Sequence, residues 1–351
     1  MPGCAGCTAS PSLVAGPPAA VAAVRVAVRE ALTDLPSGAL VLVACSGGAD
    51  SLALAAATAF VAPRADLRAG AAVVDHGLQP GSNEVAVAAA AQCESLGLGP
   101  VRLERVLVAA RGAGPEAEAR TARLAALERL AAADGAVAVL LGHTLDDQAE
   151  TVLLGLARGA GARSLAGMAA GRGVFRRPLL ELDRTTVREA CRLSGLDAWE
   201  DPSNADLGVA RARVRGNVLP TMEAGLGPGV AAALARTASM LRDDADLLDH
   251  LAGELMTAAR LPSSDPVDVV LDVAVLAAAA PALRRRVLRT AALEAGSPAA
   301  ALSRAHVLAV DALVTAWHGQ GPLHLPAVTA SRRGAHLTLA HQPPRHSPKP
   351  S

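Results

Sequence analysis

The chain has 351 residues, 51% of them hydrophobic and 19% charged, which is long enough for two domains and apolar enough to bury a core in each. Its 33 basic residues balance its 33 acidic ones, so a surface suited to a polyanion has to be local. The only lysine is Lys349 and there is no tyrosine, which excludes Walker-type nucleotide hydrolases, Schiff-base and pyridoxal enzymes, protein kinases and tyrosine-dependent dehydrogenases.

From the amino end, residues 1–18 are rich in proline, glycine and serine and are expected to be a disordered tail, as are 342–351. Between 19 and 225, short β-branched runs at 39–45, 71–75, 101–108 and 137–142 alternate with Ala/Leu-rich helical stretches at 51–61, 83–96 and 116–134. That order predicts an α/β domain, a parallel sheet with helices on both faces. A linking helix is expected over 226–262. A smaller, mainly helical domain follows over 263–341, with helices at 281–294 and 303–317 and two strand-like pieces near Leu323 and Leu337. The five cysteines (Cys4, Cys7, Cys45, Cys93, Cys191) are odd in number and scattered, which fits a reducing compartment. Residues 1–12 lack a signal-peptide pattern, and the longest nearly apolar run, 52–63, is too short to span a bilayer. A cytoplasmic protein without a membrane partner is expected.

The most informative stretch runs from 39 to 60, a buried strand leading through Ser46-Gly47-Gly48-Ala49-Asp50-Ser51 into an apolar helix. Adjacent glycines let consecutive N–H groups and the helix start face one anion, with the Ser46 and Ser51 hydroxyls as further donors. Asp50 would repel a bare phosphate, so its place at the rim points to a bridging Mg²⁺. The simpler alternative is a strand-to-helix turn capped by Ser46. Further on, Thr144 followed by Asp147 forms a capping-box-like helix start, and His143 and Asp147, four apart, fall on one side of its first turn. The adjacent carboxylates Asp146 and Asp147 suit Mg²⁺ or a substrate ammonium at the carboxyl end of a strand, where open parallel sheets bind ligands. Asp75 and His76 end another strand on the same edge. Arg211, Arg213 and Arg215 alternate at period two, so an extended segment would place them on one face. Residues 158–215 hold eleven arginines against seven acids, a local excess suited to a phosphate backbone. Arg284, Arg285, Arg286 and Arg289 would extend that stripe.

SGGADS resembles the pyrophosphate loop of the N-type ATP pyrophosphatases. The block from Leu141 through His143, Asp146, Asp147, Gln148 and Glu150 to Thr151, with Arg158 to Met168 after it, resembles the HxxDDQAET block of the tRNA(Ile)-lysidine synthetase family. So do Val74-Asp75-His76-Gly77-Leu78, Arg177-Pro178-Leu179-Leu180, Asp201-Pro202-Ser203-Asn204 and Arg211-Ala212-Arg213-Val214-Arg215, in the family's order. The resemblance implies an adenine nucleotide alpha hydrolase-like catalytic domain that uses ATP and Mg²⁺. Its activity would adenylate the C2 oxygen of the first cytidine in the CAU anticodon of tRNA(Ile), join free lysine to C2, and so switch decoding from AUG to AUA. Carried over by position, the catalytic residues are Asp50, Asp146, Asp147, His143 and Arg123. Ser46, Gly47, Gly48, Ala49, Asp50, Ser51, Asp75, His76 and Gly142 would bind ATP, Asp50 carrying the metal. Arg163, Arg177, Arg211, Arg213 and Arg215 would bind tRNA, and a homodimer is compatible with this reading. Leu124 and Val209 stand where the family has aromatics, so no stacking is expected there. Rival readings are a tRNA thiolase of the same superfamily, for which Cys4 and Cys7 have the spacing, and a non-catalytic RNA-binding relict.

Overall fold

A computed structural model describes residues 16–75, 77, 81–106, 115–159, 161–202, 206–263 and 265–342. His76, Cys4, Cys7, Ser203, Asn204 and most of both expected tails lie outside them. The chain divides into two compact units, 1–241 and 242–351.

In the first unit, strands β1 (Leu40–Ala44), β2 (Arg68–Asp75), β3 (Val101–Arg105) and β4 (Ala136–Leu140) are parallel, in the order β3-β2-β1-β4. A short hairpin of β5 (Gly171–Arg172) and β6 (Phe175–Arg176) extends the β4 edge. Side chains alternate along β1. Val41 and Val43 join a core with helices α1 (Ala19–Ala31), α2 (Ala49–Val61), α3 (Ser82–Ser95) and α7 (Arg184–Leu193). Leu40 and Leu42 point to the other face, against Leu127 and Ala131 of α4 (Pro115–Asp134). Burial on both faces is why these strands read as continuous apolar runs. Because β2 and β4 flank β1 while their chain connections leave in opposite directions, a crevice opens at the carboxyl ends of β1 and β4.

Helix α5 (Leu145–Ala157) leaves β4 there, followed by α6 (Ala162–Leu165). Residues 210–226 fold as α8 (Ala210–Arg213), a π-helical turn (Val214–Val218) and α9 (Leu219–Leu226). The extended arginine segment predicted above is therefore corrected: Arg211 and Arg215 lie one helical turn apart and share a face.

Helix α10 (Val230–Ala259) lies within the segment 226–262 read as a linking helix, and the division between the two units at 241/242 falls inside it. The second unit holds α11 (Val273–Ala278), α12 (Pro281–Glu294) and α13 (Arg304–Thr315). Beyond the two strands expected, it has an antiparallel sheet of β7 (Arg260–Leu261), β8 (Val269–Asp272), β9 (Leu323–Leu325), β10 (Val328–Arg333) and β11 (His336–His341), ordered β7-β8-β11-β10-β9. Its own core includes Leu271, Leu276, Leu313, Leu337 and Leu339. Arg284 and Arg285 both donate to the buried Asp311, at 2.6 and 2.9 Å, and Arg286 pairs with Asp249. These three arginines are committed to ion pairs, and Arg289 donates to the Leu302 carbonyl at 3.0 Å, so inside the unit each has a protein partner, against their reading as an extension of a phosphate-binding stripe. Trp317 lies under the Arg332 guanidinium, 4.6 Å from ring centroid to Cζ. No single helix among the described residues is long and apolar enough to cross a membrane.

Candidate active site

The crevice holds a cavity of about 340 Å³. Its floor is the loop between β1 and α2. Gly47 takes φ +81°, in the left-handed region that favours glycine. The Ser51 hydroxyl accepts from the Ser46 amide at 3.1 Å and donates to the Gly48 carbonyl at 2.9 Å, closing the loop on itself. Gly48, not Ser46, occupies the cap position of α2, and no side chain caps that helix. The first-turn amides of an apolar helix are thus aimed at the cavity, the arrangement that binds anions. A Cβ at Gly142 would come within 3.1 Å of the Asp50 backbone, so only glycine lets the end of β4 lie against the loop.

Asp50, on the first turn of α2, lines the cavity. Burial, reinforced by the nearby Asp147, pushes its carboxyl up to about 6. Its Oδ1 is buried without a hydrogen-bond partner, which suits a cation shared with phosphate oxygens.

The two adjacent acids behave differently. Asp147 faces the cavity: its Oδ2 accepts from the Thr144 amide at 2.8 Å and hydroxyl at 3.1 Å, and its Oδ1 from Arg184 at 2.9 Å and Arg215 at 3.3 Å. Burial opposes its charge, but Arg184 and the Thr144 amide outweigh that and hold the carboxyl below the usual range. Asp146 instead accepts from the Arg184 backbone amide at 2.8 Å, anchoring α7. The expected joint site of adjacent carboxylates is therefore not formed. His143 lines the cavity, with burial lowering its ring pKa to about 3. It stays neutral at physiological pH.

Arg123 also lines the cavity. Its Nε is buried without a partner, its charged neighbours are Arg120 and Arg211, and no carboxylate pairs with it among the described residues. Burial, then repulsion from those neighbours, lowers its pKa. Asp75 accepts from the Gly77 amide at 2.9 Å, with Arg105 at 3.6 Å, so it shapes the turn after β2 as well as lining the cavity.

The arginines expected to contact tRNA part company. Arg211 and Arg215 donate to Glu150, which has no exposed surface, at 2.9 and 2.8 Å, and Arg184 reaches the same carboxylate at 3.2 Å. Arg213 faces solvent, held by the Leu207 and Gly208 carbonyls. Arg163 is exposed on α6, and Arg177 is buried against the Ala169 carbonyl. The structure thus brings Ser46, Gly48, Ala49, Asp50, Ser51, Asp75, Arg123, Gly142, His143, Asp147 and Arg215 together and leaves Gly47, Asp146, Arg163, Arg177, Arg211 and Arg213 outside the cavity lining.

Sequence reasoning missed four residues here. Glu150 could have been found from its place three after Asp147, on the same helical face. Arg184 and Arg188, spaced four apart on α7, carry an amphipathic signal but no motif. Trp199, one of four aromatics in the chain, lines the cavity and its amide donates to the Gly47 carbonyl at 2.9 Å.

Fold and site together define a PP-loop nucleotide-binding protein, and the PP-loop domain family matches residues 23–222. The family described as the TilS substrate binding domain matches 271–338. The tRNA(Ile)-lysidine synthase of Thermobifida fusca (strain YX) is 56% identical over 91% of this chain and 97% of its own length. That of Streptomyces coelicolor is 50% identical over 92% and 99%. The chain belongs to the tRNA(Ile)-lysidine synthase family and is a ligase whose PP-loop domain uses ATP. The U34-tRNA thiolase NcsA from Methanococcus maripaludis, with its [4Fe-4S] cluster, shares the fold, with a TM-score of 0.54 and 19% identity over 64% of this chain and 80% of that one.

Proposed function

We propose that the protein forms lysidine on tRNA(Ile) bearing a CAU anticodon, using ATP and free lysine. The observation that carries this reading is one cavity lined together by the first turn of a helix that no side chain caps, by the buried Arg123, which no described carboxylate pairs, and by the Asp147 carboxylate. It suits a polyphosphate, a developing negative charge and an amine.

In the first step the cytidine C2 oxygen attacks the α-phosphorus of ATP, the bond to the β-phosphate breaks, and pyrophosphate leaves into the loop. The amides after Gly48 neutralise charge on it, and Arg123 sits where charge on the α-phosphate can be matched. Asp50 would hold Mg²⁺ against the phosphates, the ion neutralising charge when bound. In the second step the lysine amine attacks C2, the C2–O bond breaks and AMP departs. Asp147 holds the ammonium form or takes its proton, and holding the amine beside the activated carbon is proximity catalysis. His143, neutral and buried, serves as a hydrogen-bonding group rather than a charge. The cytoplasm, which supplies all three substrates, is the proposed compartment.

The test separates the steps. ATP and tRNA without lysine should give pyrophosphate and an AMP–tRNA adduct, and lysine should then release AMP. Asp147→Asn is expected to form the adduct and discharge it slowly, with a raised lysine KM. If the first step fails instead, Asp147 serves the nucleotide end. No adduct with the wild-type protein would reject the reading.

A further inference from the structure

The cations around the cavity are not equivalent. Arg184 and Arg215 are each held by both Asp147 and Glu150, and moving either would take one cationic partner from two buried carboxylates at once. Arg188 is different. It lies one turn beyond Arg184 on α7 and lines the same cavity, and its only ion-pair partner among the described residues is Glu200, 3.3 Å away. Glu200 lines the cavity too. The two side chains are 48% and 69% exposed, so their pairing is screened by water and contributes little to stability. Trp199, beside Glu200, is tied to Gly47 through its backbone, which fixes this pair at the edge of the phosphate loop.

We propose that Arg188 is a movable contact for the departing pyrophosphate, and that Glu200 is the carboxylate that receives it when the pyrophosphate leaves. This rests on reading the loop as the pyrophosphate site. When the bond between the α- and β-phosphates breaks, the electron pair stays on the β-phosphate oxygen and negative charge grows on the leaving group. Most PP-loop neighbours are fixed, and no lysine is present among the described residues to follow that charge. Arg123 is placed at the α-phosphate, and among the other described arginines that line the cavity only Arg188 can shift to that charge without dismantling the buried network. A polyphosphate outcompetes one exposed carboxylate for a guanidinium, because it offers several charged oxygens to the planar fork. On its return to Glu200, Arg188 removes a contact from the pyrophosphate, which favours release. Asp50 feels Arg188 as a stabilising positive charge, consistent with its position over the loop.

The two partners should act with opposite sign. Inorganic pyrophosphate with magnesium is titrated into the full-length chain by calorimetry, with AMP as a second ligand. Arg188→Ala should weaken pyrophosphate binding about tenfold, the size of one charge-assisted contact, and leave AMP affinity unchanged. Glu200→Gln should tighten pyrophosphate severalfold and strengthen product inhibition of the tRNA reaction. The double variant should behave as Arg188→Ala, since freeing an absent guanidinium gains nothing. Equal pyrophosphate affinity in wild type and Arg188→Ala would overturn the role of Arg188, as would a Glu200→Gln variant that binds more weakly. Equal losses for AMP and pyrophosphate would mark a structural effect and overturn it as well. If wild type does not bind pyrophosphate at all, the reading of the loop itself falls, a separate and recognisable failure.

Discussion

At the rim of the phosphate loop, Asp50 combines a chemical duty with a cost to the fold. Its carboxyl is raised to about 6 from an unfolded value near 3.9, so the folded state binds the proton more tightly than the unfolded one. Stability from this residue is therefore present at low pH and is lost as pH rises from about 4 through about 6. Charging it at pH 7 opposes folding by up to about 3 kcal/mol. Asp50→Asn should accordingly raise Tm at pH 7.5, and the gain should shrink toward pH 4; a Tm lowered at pH 7.5 would contradict the burial argument. The same variant should lose pyrophosphate release, and the wild-type kcat/KM, which follows the free enzyme, should fall on the acid side with an apparent pKa near 6. A stabilised but inactive variant is what a strained functional residue produces.

Among the elements, the segment from α8 through the π-helical turn shows how tertiary contacts override local pattern. Arg-Ala-Arg-Val-Arg alternates polar and apolar residues and includes a β-branched valine, so period two is the natural reading. The buried carboxylate of Glu150 selects the helical alternative, because only there do Arg211 and Arg215 converge on it. Two consequences separate. Arg213→Ala should lower the salt slope of tRNA binding by about one unit, as for a lost phosphate contact, whereas Arg211→Ala should leave that slope unchanged. Glu150→Gln should destabilise the first unit by roughly 3 kcal/mol, since it leaves partly buried arginines uncompensated, as thermal or urea melts would register. The strands β1, β2 and β4, the glycine loop and the α5 start were legible in the sequence because their signals are local: β-branched runs, paired glycines and a capping pair. Arg184, Arg188 and Trp199 were not, because they reach the cavity only through the packing of α7 on α1 and α2 and the return of residues 196–201 to Gly47. Asp146 was misassigned for the opposite reason. Adjacency in sequence puts neighbouring helical side chains about 100° apart, so one faces the cavity and the other anchors α7.

Among the described residues the two units keep their apolar cores apart, those on the two faces of the parallel sheet in the first and the one against the antiparallel sheet in the second. Leu313, fully buried in the second, offers a way to perturb one unit. Leu313→Ala should cost about 2–5 kcal/mol, and calorimetry should show one of two transitions lowered while ATP affinity is preserved. A single transition that shifts as one would mean that the units unfold together.

The scarcity of aromatics gives the protein an unusual optical property. With no tyrosine, its near-ultraviolet emission comes from two indoles, and each unit contains one of them: Trp199 at the cavity wall and Trp317 beneath Arg332. Trp317→Phe leaves a chromophore that sees the phosphate loop alone, and Trp199→Phe leaves one that reports on the second unit alone. Ligand arrival and the state of each core can therefore be followed by intrinsic light in the same chain, without attaching a dye.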